Sequence, residues 1–132
     1  MMTDMELIQT AVDAAKNSYS PYSNFRVGAA LLCKDNTVYT GCNIENASFG
    51  ATICAERTAV FTAAANGKRQ FSKIAVVGFS NNTISSPARP CGICRQVLSE
   101  FCGNDFEFIL YDGKKIIKLK MDELFPYPFN NF

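Results

Sequence analysis

Cys54-Ala55-Glu56 and Pro90-Cys91-Gly92-Ile93-Cys94 place three thiols and one carboxyl group in the pattern C-x-E, a long gap, then P-C-x-x-C. The sequence contains no histidine, so thiolates and carboxylates are left to bind a metal or to move a proton. Zinc accepts sulfur ligands in a tetrahedral arrangement, and a catalytic zinc keeps three protein ligands and one open position. Cys54 has no other cysteine close to it in the sequence that could supply a fourth ligand. This spacing favours an open zinc site over a closed structural one.

The residues that follow each cysteine group have helical character. Residues 55–65 are strong helix formers that end at Asn66-Gly67, and residues 93–101 carry apolar side chains at helical spacing. Backbone N–H groups at a helix start stabilise thiolates, so two helix starts are expected to converge on one ion. Arg57 is predicted to donate a hydrogen bond to a ligand sulfur and to reduce the electron density there.

A C-x-x-C pair taken alone is often a structural zinc site or a redox pair. The combination of both motifs, each followed by a helix, favours a catalytic site. A structural or redox module would also leave Glu56 without a role. The other three cysteines, Cys33, Cys42 and Cys102, stand in apolar or strand-like surroundings and are interpreted as core thiols.

Composition limits the class of protein. The 132 residues are 48% hydrophobic and 19% charged, which is typical of one globular domain spanning residues 1–132. The net charge is +1 and no basic stripe is visible, which disfavours nucleic acid and favours a small substrate. The acidic start is unlike a signal peptide and no apolar run reaches transmembrane length. Location in the cytoplasm, with reduced cysteines and no membrane partner, is expected.

Hydrophobic periodicity predicts the element order αββαβαββ. Thr3 and Glu6 form a capping box for the first helix, and residues 81–88 are interpreted as a loop. The predicted helices span residues 4–17, 55–65 and 93–101, with a last helical turn at 121–124, and the predicted strands span 25–33, 38–43, 73–79, 106–111 and 115–119. This pattern predicts an α/β fold with a mixed five-stranded sheet between helices, a three-layer α/β/α arrangement.

Five stretches in the same order carry a resemblance to a known family. They are residues 19–30, 41–49, 54–57, 90–96 and 123–126. The sequence resembles the small homotetrameric cytidine deaminases over nearly its whole length. The resemblance implies a zinc-dependent hydrolase that acts on a cyclic amidine C–N bond. It would convert cytidine and 2′-deoxycytidine to uridine and 2′-deoxyuridine with release of ammonia, in pyrimidine salvage.

The resemblance also implies a role for each motif residue. Cys54, Cys91 and Cys94 would hold one zinc ion per subunit, and a zinc-bound hydroxide would attack C4 of the cytosine ring. Glu56 would take the proton of the water, deliver it to N3 and later protonate the departing amino group. Ala55 would offer backbone groups to the edge of the base.

Three further positions are implied in substrate binding. Phe25 would lie against the pyrimidine, and Asn43 and Glu45 would bind the ribose. Asn43 and Glu45 stand two residues apart, so on an extended segment both side chains project from one face. Near the end of the chain, Phe129 would reach a neighbouring subunit's site in the homotetramer, with Phe125 as a substitute. Alternatively, the aromatic tail packs on its own domain.

The sequence disfavours two other classes of deaminase. An enzyme of similar fold that acts on a cytosine nucleoside antibiotic, as blasticidin-S deaminases do, is disfavoured by the pair Asn43 and Glu45, which suits a free ribose. A deaminase that edits polynucleotides is disfavoured because the neutral charge and compact length leave no strand-binding surface.

Overall fold

The computed structural model describes residues 2–130 and contains a β-sheet with helices on both faces. The strands are β1 (Phe25–Cys33), β2 (Val38–Cys42), β3 (Phe71–Ser80), β4 (Thr83–Ile84), β5 (Glu107–Tyr111) and β6 (Ile116–Lys120). The helices are α1 (Asp4–Ala15), α2 (Ala55–Ala65), α3 (Gly92–Phe101) and α4 (Met121–Leu124), with a short 3₁₀ helix at Phe49–Ala51.

The five predicted strands form one mixed sheet in the order β2-β1-β3-β5-β6, which confirms the predicted fold class. Only β3 and β5 are parallel neighbours, and the other pairs in this order are antiparallel. The interpretation of residues 81–88 as loop was incomplete. Thr83–Ile84 turns back on β3 and adds a sixth, two-residue strand, with Asn81 and Asn82 at the turn in left-handed conformations that asparagine tolerates.

Two glycines let helices approach the sheet closely from opposite sides. A methyl group at Gly28 in β1 would collide with the backbone of α1, and one at Gly41 in β2 would collide with the backbone of α2. One core cluster joins α1 to one face of the sheet, and a second joins α2, α3 and α4 to the other face. The layers are therefore α1, then the sheet, then the remaining helices.

Helix α1 is fixed at its start by local and distant contacts. The predicted capping box is present, with Thr3 Oγ1 accepting from the Glu6 N–H and Glu6 accepting from the Thr3 N–H. The helix ends at Ala15, two residues before its predicted end. A half-buried carboxylate on Asp4 accepts from Lys73 Nζ at 2.7 Å and lies 3.0 Å from Lys118 Nζ. This ion pair ties α1 to the sheet.

The direction of the strands explains why α2 and α3 begin at the same edge of the sheet. Strand β1 is antiparallel to both β2 and β3, and β3 is parallel to β5, so β2, β3 and β5 run the same way. Helix α2 connects β2 to β3, and α3 connects β3 to β5. Each helix must return along the sheet, so both start at the carboxyl ends of these strands, where α/β proteins commonly bind ligands.

None of the helices in residues 2–130 is long and apolar enough to cross a lipid bilayer.

Candidate metal centre and active-site cleft

Three thiols from two helix starts form a cluster at this edge. The sulfur atoms of Cys54 and Cys91 lie 3.6 Å apart, and those of Cys91 and Cys94 lie 3.5 Å apart. All three sulfur atoms lie within 4.8 Å of one another. Tetrahedral zinc with bonds of about 2.3 Å to sulfur requires sulfur atoms about 3.8 Å apart. The donor set and its spacing therefore fit a zinc ion.

Each cysteine group stands where its helix begins. Cys54 is the N-cap residue of α2, and Cys91 is the N-cap residue of α3. The Cys91 sulfur accepts from the Cys94 N–H at 3.5 Å. The positive ends of both helices therefore face the cluster and offset the negative charge that three thiolates bring.

The thiols differ in their acidity because they contact one another. Hydrogen bonding from Cys94, and then from Arg57 and Cys91, lowers the pKa of the Cys54 thiol to about 5 although burial opposes this. The contact with Cys54, together with burial, raises the pKa of Cys94. Of Cys54 and Cys94, Cys54 therefore more readily carries the negative charge needed to bind a cation.

Arg57 lies in the first turn of α2 beside the thiols. Its Nη2 donates to the sulfur of Cys54 at 3.4 Å. Its Nε is buried and has no hydrogen-bond partner among residues 2–130. The guanidinium thus contacts the thiol cluster through Nη2. Its positive charge reduces the electron density on the Cys54 sulfur.

We expect Arg57→Ala to lower zinc affinity by about 10- to 100-fold and to reduce turnover, because a hydrogen bond to a metal ligand is lost. Competition with a chromophoric chelator measures the affinity. Arg69→Ala is the matched control, since the hydrogen bonds that Arg69 makes within residues 2–130 go to the backbone carbonyls of Ala64 and Lys68 near the end of α2. Unchanged zinc affinity and unchanged turnover in Arg57→Ala would contradict a role for this residue.

Glu56 is a buried carboxyl group in the first turn of the same helix. It is only 4% exposed. Burial raises the pKa of Glu56 to about 7, and the charge on Cys54 adds to the increase. A carboxyl group with this pKa can both accept and donate a proton near neutral pH.

A cleft of about 340 Å³ opens beside the thiols. Its lining includes seven of the residues singled out in the sequence: Phe25, Asn43, Glu45, Cys54, Ala55, Glu56 and Cys91. Cys94 is fully buried and is not among the residues that line the cleft. Cys33, Cys42 and Cys102 lie outside the thiol cluster, as expected for cysteines without a ligand role. Cys33 is buried, and the other two are partly buried.

Sequence reasoning did not single out several residues that line the cleft. They are Val27, Thr52, Ile53, Val76, Ala88 and Arg89. Arg89 is an exposed cation, and its position directly before Pro90-Cys91 was a signal that it must lie near the metal ligands. Val76 carries no such signal, because in the sequence it is one of several apolar residues in a buried strand.

A short backbone pairing brings Asn43 and Glu45 next to the thiols. Ile44, which stands between them, exchanges two backbone hydrogen bonds with Ile53, at 3.0 and 2.9 Å. Ile53 directly precedes Cys54. The 43–45 segment is therefore held against the start of α2.

The amide of Asn43 is 9% exposed and holds neighbouring backbone. Its Nδ2 donates to the Phe25 carbonyl at 2.8 Å, and its Oδ1 accepts from the Val27 N–H at 2.9 Å and from the Ser18 hydroxyl. An amide nitrogen carries two donor hydrogens, so one remains for a ligand in the cleft.

The Glu45 carboxylate orders the loop before β1. One oxygen accepts from the N–H groups of Tyr22 and Ser23 at 3.0 and 3.1 Å, and the other accepts from the Ser23 hydroxyl. These hydrogen bonds lower the pKa of Glu45. A carboxylate has about four acceptor positions, so it retains capacity for a hydroxyl donor.

Phe125 and Phe129 are not among the residues that line the cleft. Phe129 is 71% exposed, and its carbonyl accepts from Gln96 Nε2 at 2.8 Å. Phe125 packs against the core cluster of α2 and α3. Phe129 thus does not line the cleft of its own chain. Phe125 packs on its own domain, as the alternative interpretation of the aromatic tail expects.

Open coordination by three thiols next to a buried carboxyl group is the arrangement that a catalytic zinc site requires, because substrate and proton donor can both reach the metal. The fold and this site together define the class of zinc-dependent hydrolytic enzymes. Comparison narrows the class to a family. The family described as the cytidine and deoxycytidylate deaminase zinc-binding region matches residues 1–109. The chain belongs to this family of zinc-dependent deaminases.

Relatives and solved structures agree with this assignment. A cytidine deaminase of Halalkalibacterium halodurans is 47% identical over 124 residues, covering 93% of this chain and 91% of that protein. A blasticidin-S deaminase of Bacillus cereus is 31% identical over 127 residues, covering 93% and 89%. The crystal structure of a Burkholderia pseudomallei cytidine deaminase is similar with a TM-score of 0.89 and 44% identity, covering 97% of this chain and all of that one.

Proposed function

We propose that the protein hydrolyses cytidine and 2′-deoxycytidine to uridine and 2′-deoxyuridine with release of ammonia, in pyrimidine salvage in the cytoplasm. The observation that carries the proposal is the cleft, whose lining combines the thiols of Cys54 and Cys91 and the Glu56 carboxyl group with the polar side chains of Asn43 and Glu45. A nucleoside likewise combines a reactive base with a hydroxyl-bearing sugar. The higher identity to a cytidine deaminase than to a blasticidin-S deaminase also supports it.

The proposed chemistry divides between the metal and Glu56. Zinc held by Cys54, Cys91 and Cys94 supplies Lewis acidity that makes water a nucleophile at neutral pH. Glu56 accepts a proton from the attacking water and passes it to N3 of the base. It then takes the second proton of the water from the new hydroxyl group on C4 and donates it to the amino nitrogen, which leaves as ammonia as the C4–N bond breaks and the C4–O bond becomes a carbonyl. Water thus supplies the C4 oxygen of the product, the hydrogen on N3 and the one hydrogen that ammonia gains.

The proposed position of the base follows from the lining of the cleft. Phe25 lines the cleft, and we propose that its ring lies against the pyrimidine. Ala55 is the first residue of α2, next to Cys54 and Glu56. Its backbone joins the metal ligand to the proton carrier and lines the cleft, and we propose that it contacts the base edge.

The proposed sugar contact uses one donor hydrogen of Asn43 and one acceptor position of Glu45 that their hydrogen bonds within the chain leave unoccupied. A hydroxyl can accept the remaining hydrogen of Asn43 Nδ2 and donate to Glu45. Because both cytidine and 2′-deoxycytidine are proposed substrates, this hydroxyl is the 3′-hydroxyl that the two share.

We expect Glu45→Gln to raise KM for cytidine by about 10- to 100-fold, since a charge-assisted hydrogen bond contributes roughly 1.5–3 kcal/mol. With 2′,3′-dideoxycytidine the variant and the wild-type protein should have similar KM values, because this substrate lacks the hydroxyl. Ser23→Ala is the control, as it removes one loop contact of Glu45 but keeps the carboxylate. An equal KM increase for both substrates would contradict the sugar contact.

We further propose a homotetramer of catalytic domains that each span residues 1–132. A groove along α2 is open in the isolated chain, and Phe129 is exposed. The groove is lined by the apolar residues Ile44, Ile53, Phe61 and Ala65 together with Thr58, Thr62 and Asn66. Burial of such surfaces against other copies would remove apolar area from water. In the assembly, Phe129 would approach a neighbouring subunit's cleft. Sedimentation of the purified protein tests the assembly.

The reaction is tested by the loss of the ultraviolet absorbance band of cytidine with purified protein, alongside zinc content per chain. Cytidine and 2′-deoxycytidine should both be converted, with about one zinc per chain. Blasticidin S and a cytosine-containing oligonucleotide are run in parallel. Conversion of blasticidin S or of the oligonucleotide without conversion of cytidine would contradict the proposed substrate.

A further inference from the structure

Arg95, in the first turns of α3, joins two segments that are far apart in the sequence. Its Nε donates to the Pro90 carbonyl at 2.8 Å, and its Nη1 donates to the Leu124 carbonyl at 2.7 Å. Pro90 is buried and directly precedes Cys91. Leu124 is the last residue of α4. One side chain thus links the metal-ligand loop to the C-terminal helical turn.

Arginine suits this link because its planar guanidinium presents several donors in a fixed geometry. Both acceptors are main-chain carbonyls. The one on Leu124 belongs to the end of a helix, where carbonyls lack intrahelical partners and carry partial negative charge. A lysine in place of Arg95 would be a single flexible donor group, and so would not hold both carbonyls in the same fixed relation.

The backbone around Cys91 is held from both sides by this one residue. The main-chain N–H of Arg95 donates to the Cys91 carbonyl at 2.9 Å, while its side chain holds the preceding carbonyl, that of Pro90. Cys91 itself is exposed, so packing restrains it little. Hydrogen bonds from Arg95 therefore restrain the main chain on both sides of the Cys91 α-carbon, which carries the sulfur.

We propose that Arg95 is a positioning residue for the zinc ligand Cys91, with the C-terminal turn at Leu124 as its anchor. The inference rests on the zinc centre of the proposed function. Without the guanidinium, the backbone before Cys91 gains freedom, and the sulfur leaves the metal more often.

The test is the rate of zinc release from the zinc-loaded protein to a chromophoric chelator. We expect release about 10- to 100-fold faster in Arg95→Gln, the range seen when residues that orient metal ligands are replaced. Arg95→Lys, which keeps the charge and one donor group, should fall between this variant and the wild-type protein. Urea unfolding curves for each variant establish that the folded state is the one being compared.

Two controls separate positioning from general loosening. Gln96 is the next residue on α3, and its Nε2 donates to the Phe129 carbonyl. Gln96→Ala therefore removes a side-chain hydrogen bond to a backbone carbonyl, like those of Arg95. Asp4→Asn weakens the ion pairs of α1 on the opposite face of the sheet. Both should release zinc within about twofold of the wild-type rate, because neither touches Pro90 or Cys91.

Wild-type release rates in Arg95→Gln and Arg95→Lys would overturn the inference, and so would equal acceleration in the two controls. Arg95→Lys supplies the test alone if Arg95→Gln does not fold. A wild-type protein that binds no zinc would overturn the metal site and the proposed function instead. That result is recognised from the zinc content before any variant is compared.

Discussion

Replacement of Glu56 by glutamine is expected to lower cytidine turnover by at least about 10⁴-fold while zinc stays bound. General acid–base groups contribute typically 10²- to 10⁴-fold to a rate, and the proposed mechanism uses Glu56 to accept the two protons of the water in turn and to donate them at two positions. Glutamine has the same shape as the neutral acid but cannot exchange a proton. The measurement is initial rate by absorbance, with zinc content determined on the same sample.

Zinc should be retained because Glu56 is not one of the clustered thiol groups. Glu100→Gln is the matched control, since Glu100 is an exposed carboxylate on α3 and should keep full activity. Turnover of Glu56→Gln within tenfold of the wild-type rate would show that another group carries the proton. Loss of zinc together with activity would instead assign Glu56 a part in holding the metal.

Removal of one ligand thiol, in Cys91→Ala, is expected to abolish both zinc binding and deamination. Only the thiols of Cys54 and Cys94 remain in the cluster, where their sulfur atoms lie 3.6 and 3.5 Å from that of Cys91. Two ligands do not complete the three-ligand set of a catalytic zinc site. Zinc content should fall from about one per chain to near zero, and activity to background. Because metal binding also stabilises the folded state, the urea midpoint of the zinc-loaded protein should fall as well.

Cys42→Ala provides the control for loss of a thiol as such. Cys42 is partly buried in β2 and lies outside the thiol cluster. This variant should keep zinc and activity. Full zinc content in Cys91→Ala would contradict the assignment of the ligands, whereas loss of zinc in Cys42→Ala would show that the effect is not specific to the cluster.

Local signals in the sequence were sufficient for the helix starts and for the thiol cluster. A capping box, a helix-forming run and an Asn-Gly stop act over a few residues, so they predicted α1 and α2 closely. The same local character explains the errors. The end of α1 and the strand at Thr83–Ile84 depend on turns and pairings that periodicity does not encode.

The sequence by itself determined the chemistry that is available: three thiols, one adjacent carboxyl group, no imidazole and two helix starts to hold them. Only the tertiary structure decided how that chemistry is arranged. It buried Glu56, set Asn43 and Glu45 beside Cys54 through the pairing of Ile44 with Ile53, and tied Pro90 to Leu124 through Arg95. The physical reason is the separation along the chain over which each kind of interaction acts. Capping and periodicity act between neighbours in the chain, whereas burial and these contacts arise only when distant segments pack together.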